Sequence, residues 1–188
     1  MYKRQELDWV ETIMFPYNIV ESQGEALIQA CRQKNVGFIA MKPLAGGAIE
    51  NPDLAIRYIF SNPNVTLVIP GMYTLEELEQ NFAAAEDAQG LSKEDLREIE
   101  SIRKSLGSQF CRRCNYCAPC SAGIDIPGVF VLKGYFERYG LAQWALDRYA
   151  GMGKKAGDCI DCGACETRCP YHLPIRDMMK KTAEEFEK

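Results

Sequence analysis

The sequence predicts an α/β chain in two parts: three parallel strands with their helices, then a mostly α-helical region built around cysteines. Three observations carry this reading. Short apolar runs recur at Glu11–Phe15, Gly37–Met41 and Val65–Ile69, with starts 26 and 28 residues apart. Helix-start signals follow each run. Eight of the nine cysteines lie between Cys111 and Cys169, in two groups of four. The composition is that of a globular protein, 188 residues with 47% hydrophobic and 26% charged. The formal net charge is −4 and no basic patch dominates, which argues against a nucleic-acid partner. No apolar run approaches the ~20 residues of a membrane helix, so no membrane role is expected. The opening MYKRQELDWVETIMF carries acids where a signal peptide has its apolar core, so the expected location is cytoplasmic.

Each apolar run is continuous rather than alternating, the pattern of a strand buried on both faces of a parallel sheet. The first helix is expected over Ser22–Lys34, opened by a capping box of Ser22 and Glu25. The second spans Pro52–Ser61, with Asn51 as cap and proline in the first turn. The third spans Leu75–Ala88 behind a box of Thr74 and Glu77, and the fourth runs from Ser92, paired with Asp95, to Leu106. Parallel strands need such crossovers. Three strands are too few for a closed (β/α)8, TIM-type barrel of about 250 residues. They leave open edges and uncovered apolar surface around Ile13, Phe15, Ile39 and Val68. Residues 1–106 therefore read as the last part of such a barrel, or as a sheet completed by another chain. A small self-sufficient α/β domain is the plainer alternative.

The grammar changes at residues 107–188. The first region carries 10 Lys/Arg and 16 Asp/Glu, the second 12 and 10. Short helices are expected at Phe130–Tyr139 and Leu141–Met152, joined at Gly140, with a helical end over Thr182–Lys188. Gly151, Gly153 and Gly157 mark the loop before the second cysteine group.

That second group, Cys159-x2-Cys162-x2-Cys165-x3-Cys169-Pro170, matches the bacterial ferredoxin run residue for residue. Three thiolates at i, i+3 and i+6 on a tight loop wrap one face of a cubane, while the fourth points away to another cluster. The first group is Cys111-x2-Cys114-x2-Cys117-x2-Cys120, with Ser121 where the run would have proline. The crossed pattern assigns one 4Fe-4S cluster to Cys111, Cys114, Cys117 and Cys169, and a second to Cys159, Cys162, Cys165 and Cys120. Metal assembly is then part of folding. Two zinc sites are the structural alternative, against which a third cysteine at x2 would crowd a tetrahedral ion. Arg112, Arg113 and Arg168 either offset the clusters' negative charge or are ordinary solvated side chains. His172 reads as a surface or helix-entry residue, and Cys31 as a small core residue.

The segment VGFIAMKPLAGGAIENPDLAIRYIFSNPNVTLVIPGMYTLEELEQN resembles the last two (β/α) units of the aldo/keto reductases, and IMFPYN the strand before them. The cysteine-rich remainder resembles the two-cluster ferredoxin-like extension of bacterial and archaeal members. The resemblance implies NADP(H) at the C-terminal ends of the strands. The pyrophosphate would pass Pro43, Leu44 and Gly47, and the adenosine end would meet Gly71, Met72 and Asn81. Glycines permit backbone approach, and a helix N-terminus favours phosphate. Glu76 and Glu77 stand where the family often has a basic residue, which argues against 2′-phosphate recognition. The family's catalytic Asp, Tyr, Lys and His come from the first half of the barrel, so no catalytic residue is transferred. Lys42, Tyr17 and Tyr73 do not take those places.

Two functions follow from this reading. One is an iron–sulfur, aldo/keto reductase-like oxidoreductase component that passes electrons through two 4Fe-4S clusters, with a possible link to NADP(H). The other is a non-catalytic electron carrier docked by its β/α part. The expected partners are a redox protein, a complementary half-barrel chain, or a second copy. Nicotinamide passes two electrons as hydride and each cluster passes one, so coupling them calls for a two-electron mediator such as a flavin, of which the sequence carries no signature.

Overall fold

The computed structural model describes residues 7–87, 90–107 and 109–188. The three apolar runs form β1 (Thr12–Pro16), β2 (Gly37–Met41) and β3 (Leu67–Ile69), parallel and in the order β1-β2-β3. β3 is two residues shorter than the run, because Thr66 turns to the sheet edge. Its hydroxyl accepts from the Phe38 amide at 3.0 Å while its own amide donates to the Phe38 carbonyl.

The sheet is not buried on both faces. The register sets Ile13 beside Phe38, Phe15 beside Ala40 and Ala40 beside Val68, all on one face. There α1 (Glu25–Gln33) packs on β2 with Leu27, Ile28 and Cys31 buried. Tyr17 meets the Phe38 ring edge-on and stacks on Tyr58 of α2 (Pro52–Phe60). Ile13, Phe15 and Val68 are half-buried on this face rather than uncovered as expected. The bare face is the other one. It carries Met14, Ile39, Met41, Leu67 and Ile69, with Met14 52% and Leu67 48% exposed.

Capping follows the sequence signals with one exception. Asn51 Oδ1 accepts from Leu54 N at 3.1 Å. Thr74 and Glu77 form a reciprocal box at α3 (Leu75–Glu86). Ser92 and Asp95 do the same at α4 (Lys93–Leu106), at 2.8 and 3.0 Å. The expected end of α3 at Ala88 lies outside the described residues. Ser22 does not cap α1. Asn18 Oδ1 takes the amides of Val20 and Glu21 into a side-chain turn, so the chain is still turning at Glu21 and α1 begins only after Gly24. Arg57 ties α2 to α4 through both oxygens of Asp95, at 2.7 and 2.9 Å. Arg103 donates to the Ile19 carbonyl and the Tyr58 hydroxyl.

The chain divides into two compact units, Met1–Lys104 and Ser105–Lys188. In the second, α5 (Ile126–Arg138) starts four residues before the expected Phe130. Asp125 caps it by accepting from Gly128 N at 3.1 Å, and Pro127 fits the first turn. α6 (Ala142–Ala150) follows. A 3₁₀ turn at Ala156–Asp158 precedes the second cysteine run, and α7 (Ala164–Arg168) lies within it and carries Cys165. α8 (Ile175–Phe186) is a full helix rather than a short end over Thr182–Lys188. Its buried Ile175, Met179 and Thr182 form an i, i+4, i+7 stripe. Tyr149 closes this unit: its hydroxyl accepts from Ala156 N at 2.7 Å and donates to Glu187 Oε1 at 2.6 Å. Cys117, Cys165 and Cys169 belong to the core itself, with Ile124, Ile126, Val129, Leu173, Ile175 and Met179.

Candidate metal centre

The two cysteine runs share one loop geometry. In the first, Arg113 and Asn115 flank Cys114 with left-handed backbone, φ 58° and 64°; in the second, Asp161 and Gly163 flank Cys162 with φ 56° and 74°. Asn, Asp and Gly tolerate this region best, and Arg113 adopts it without that help. The result pushes Cys114 and Cys162 outward, where both are exposed, while Cys117 and Cys165 turn into the core.

The eight thiols sort into two sets of four. Cys111, Cys114, Cys117 and Cys169 line one cavity of about 320 Å³, counting its open mouth. Cys120, Cys159, Cys162 and Cys165 line another of about 370 Å³. Each cavity takes three thiols from one run and its fourth from the other. Ile126 and Ile175 stand in the lining of both. Among the described residues, no three His, Cys, Asp or Glu side chains converge as a single ion would need. The thiols instead stand around cavity walls.

Arg168 fastens the crossing. Its Nε donates to the Ala164 carbonyl and its Nη2 to the Pro119 carbonyl, both at 2.9 Å, joining the second run to the residue before Cys120. Arg112 lies over the Tyr171 ring, 4.0 Å from its centroid, in the lining of the first cavity. Arg113 is exposed on its loop. Arg176 holds Glu166 through Nε at 3.0 Å and Nη2 at 2.9 Å, which fixes α7 against α8. Burial pushes the thiols of Cys111, Cys117 and Cys165 up. Cys162 is held down by the Ala164 amide first, and then by the Ser121 hydroxyl 3.7 Å away. His172 is exposed in the turn before α8, and Cys31 is fully buried in the other unit. The shared left-handed loops and the Arg168 staple were not read from sequence; Asn115, Asp161 and Gly163 were the signal available.

The residues named for a dinucleotide fall in three places. Pro43, Leu44 and Gly47 lie in the loop after β2, where Gly46 and Gly47 have φ 65° and 74°. Gly71 and Met72 lie exposed after β3. Asn81 is buried on α3, and its Oδ1 has no hydrogen-bond partner. An orphaned buried acceptor fits a ligand amine. The first turn of α3 does not fit a phosphate: Glu77 already accepts from the amides of Tyr73 and Thr74, at 2.6 and 3.3 Å, and Glu76 adds a second negative charge.

Comparison with known proteins divides the chain at the same place. Residues 110–174 match the 4Fe-4S dicluster domain, and residues 49–104 match the aldo/keto reductase family. Two separate stretches of the chain are thus similar to an aldo/keto reductase and to an iron–sulfur domain. An uncharacterized oxidoreductase of Schizosaccharomyces pombe is 28% identical over 116 residues, 47% of this chain and 38% of that protein. The aldo-keto reductase AKR11C1 of Bacillus halodurans, in its holo form, is similar at 17% identity with a TM-score of 0.44, over 52% of this chain and 44% of that one. The chain spans less than half the length of either relative.

Proposed function

We propose that this chain is the electron-transferring end of an iron–sulfur oxidoreductase of aldo/keto reductase type and holds two 4Fe-4S clusters. Cys111, Cys114, Cys117 and Cys169 hold the first, and Cys120, Cys159, Cys162 and Cys165 the second. The observation that carries this is the sorting of eight thiols into two crossed sets of four. Bound clusters pass single electrons at potentials set by local charge, hydrogen bonds to sulfur and solvent exposure.

The chain's own residues supply the conditions. Ile126 and Ile175 put apolar side chains into the lining of both sites. Arg168 holds Cys120 toward the second run. Arg112 sets a cation beside the first site, where it offsets the negative charge of a thiolate-bound cluster. The buried thiols Cys111, Cys117 and Cys165 resist ionisation, so assembly releases protons and contributes to folding. A reduced-thiol compartment, the cytoplasm, suits such a site.

An NADP(H) link is supported by the family match and by the orphaned Asn81 Oδ1. The capped, acidic start of α3 speaks against a 2′-phosphate there, and no step is routed through the dinucleotide. No catalytic residue is assigned. The bare sheet face favours a second reading, an electron carrier docked by its β/α unit onto a complementary half-barrel chain, a redox protein or another copy.

Anaerobic purification tests the central claim. The expected protein is brown, with iron near ~8 per chain from two four-iron clusters. Colourless protein with stoichiometric zinc overturns it.

A further inference from the structure

The residue after each remote cysteine lines the cavity that cysteine completes. Pro170 follows Cys169 and lines the cavity of the first run; Ser121 follows Cys120 and lines the cavity of the second. The two places correspond, but their chemistry differs. Proline has no donor to offer, whereas the serine hydroxyl lies 3.7 Å from Cys162 Sγ, within reach of sulfur. Once Cys162 is a thiolate ligand it accepts only, so the hydroxyl donates.

We propose that Ser121 is a positioning residue that raises the reduction potential of the Cys120/Cys159/Cys162/Cys165 cluster relative to the other. The claim rests on the two-cluster reading above. A donor to a ligand sulfur stabilises the state with more negative charge, which is the reduced one. The electron comes from an external one-electron reductant, dithionite in the titration below, and the hydroxyl is neither oxidised nor bonded to iron. Cys162 already meets the Ala164 amide, so the hydroxyl adds a second donor to one exposed sulfur. None of the residues lining the first cavity offers the matching hydroxyl at that position, since Pro170 stands there.

The test is a dithionite redox titration of the whole anaerobic holoprotein, followed by electron paramagnetic resonance. Wild type is compared with Ser121→Ala and with the near-isosteric pair Ser121→Thr and Ser121→Val. In Ser121→Ala one of the two one-electron steps moves to more negative potential. At fixed poise its reduced-to-oxidised ratio falls about threefold, or ~30 mV at ~59 mV per tenfold for one electron. The other step stays in place. Thr restores the wild-type value and Val does not; if Ala fails to hold four of the irons, the Thr/Val pair gives the same comparison. Two intact clusters with neither step moved, with both moved equally, or with Thr and Val alike overturn the role of Ser121 and leave the two-cluster reading standing. Wild-type protein with fewer than two clusters overturns that reading, and this inference with it.

Discussion

Removing Cys169 is the most exacting perturbation of the proposed ligation, because Cys169 sits in one run and serves the other. In Cys169→Ala the cavity of Cys111, Cys114 and Cys117 loses its fourth thiol, while the other cavity keeps all four. Iron falls from ~8 to ~4 per chain, the content of one four-iron cluster. The single variant does not say which cluster was lost, but paired variants do. Cys111→Ala combined with Cys169→Ala strikes the same cavity twice, so iron stays near ~4. Cys159→Ala combined with Cys169→Ala strikes both cavities, so iron falls toward zero. This is the non-additivity expected of residues acting as one unit, set against the additivity of independent ones. Iron and labile sulfide analysis of anaerobically purified proteins reads it directly. If the 111/169 pair loses everything and the 159/169 pair keeps one cluster, each run ligates its own cluster and the crossing is wrong. Folding is checked alongside, since Cys169 is buried against Leu173 and Ile175. Truncating its sulfur costs less than the 2–5 kcal/mol typical of a large aliphatic side chain cut to Ala.

Two further outcomes are expected. Arg57, gripping both carboxylate oxygens, and then the Ser92 amide hold the Asp95 carboxyl well below the ordinary carboxylate range, so its contribution is complete above about pH 4 and is lost as pH falls below that. Asp95→Asn should therefore destabilise the first unit by roughly 1–2 kcal/mol at pH 7 and flatten its acid dependence, read by amide hydrogen exchange of α2 and α4; an unchanged acid slope would refute this. The pure holoprotein should self-associate or bind a hydrophobic dye through Met14, Leu67 and Ile69, and Leu67→Lys should weaken both; a sharp wild-type monomer in sedimentation that takes up no dye would mean the sheet is self-sufficient.

What sequence reading found and missed follows from the range of the interactions involved. Strand and helix positions in the first unit were legible because they depend on local apolar runs and caps, as at Asn51, Thr74 and Ser92. Ser22 failed as a cap because Asn18, four residues upstream, had already taken the local amides into its own turn. The residues expected to be uncovered mixed the two sheet faces, Ile39 on the bare one and Ile13, Phe15 and Val68 on the packed one, because continuous apolar runs do not show the alternation that separates Phe15 from Met14. α8 was cut short, although Ile175, Met178, Met179 and Thr182 carry its helical period; the proline before it and the charged residues between hid the stripe. The two crossed sets of cysteines were expected from the ferredoxin pattern of the runs. The staple that positions Cys120 was not, because an arginine donating to the Pro119 carbonyl, 49 residues earlier, has no spacing signature.

That staple bears on how the second unit comes to have a core at all. Its buried set is small and includes three of the eight cysteines, so the apolar residues around Cys117, Cys165 and Cys169 enclose sites rather than simply one another. A domain of this size buries a modest share of its surface, so a metal tie adds appreciably to its stability. The two loops keep their left-handed turns at Arg113, Asn115 and Asp161 at a backbone cost that local contacts do not visibly repay. The proposed crossed ligation would add such a tie: each cluster would fix both runs at once and close the long stretch between Cys120 and Cys159, with Ile126 of α5 and Ile175 of α8 lining both sites. On that ligation the ligand set and the fold form one constraint, because Cys120 and Cys169 each tie one run to the site of the other.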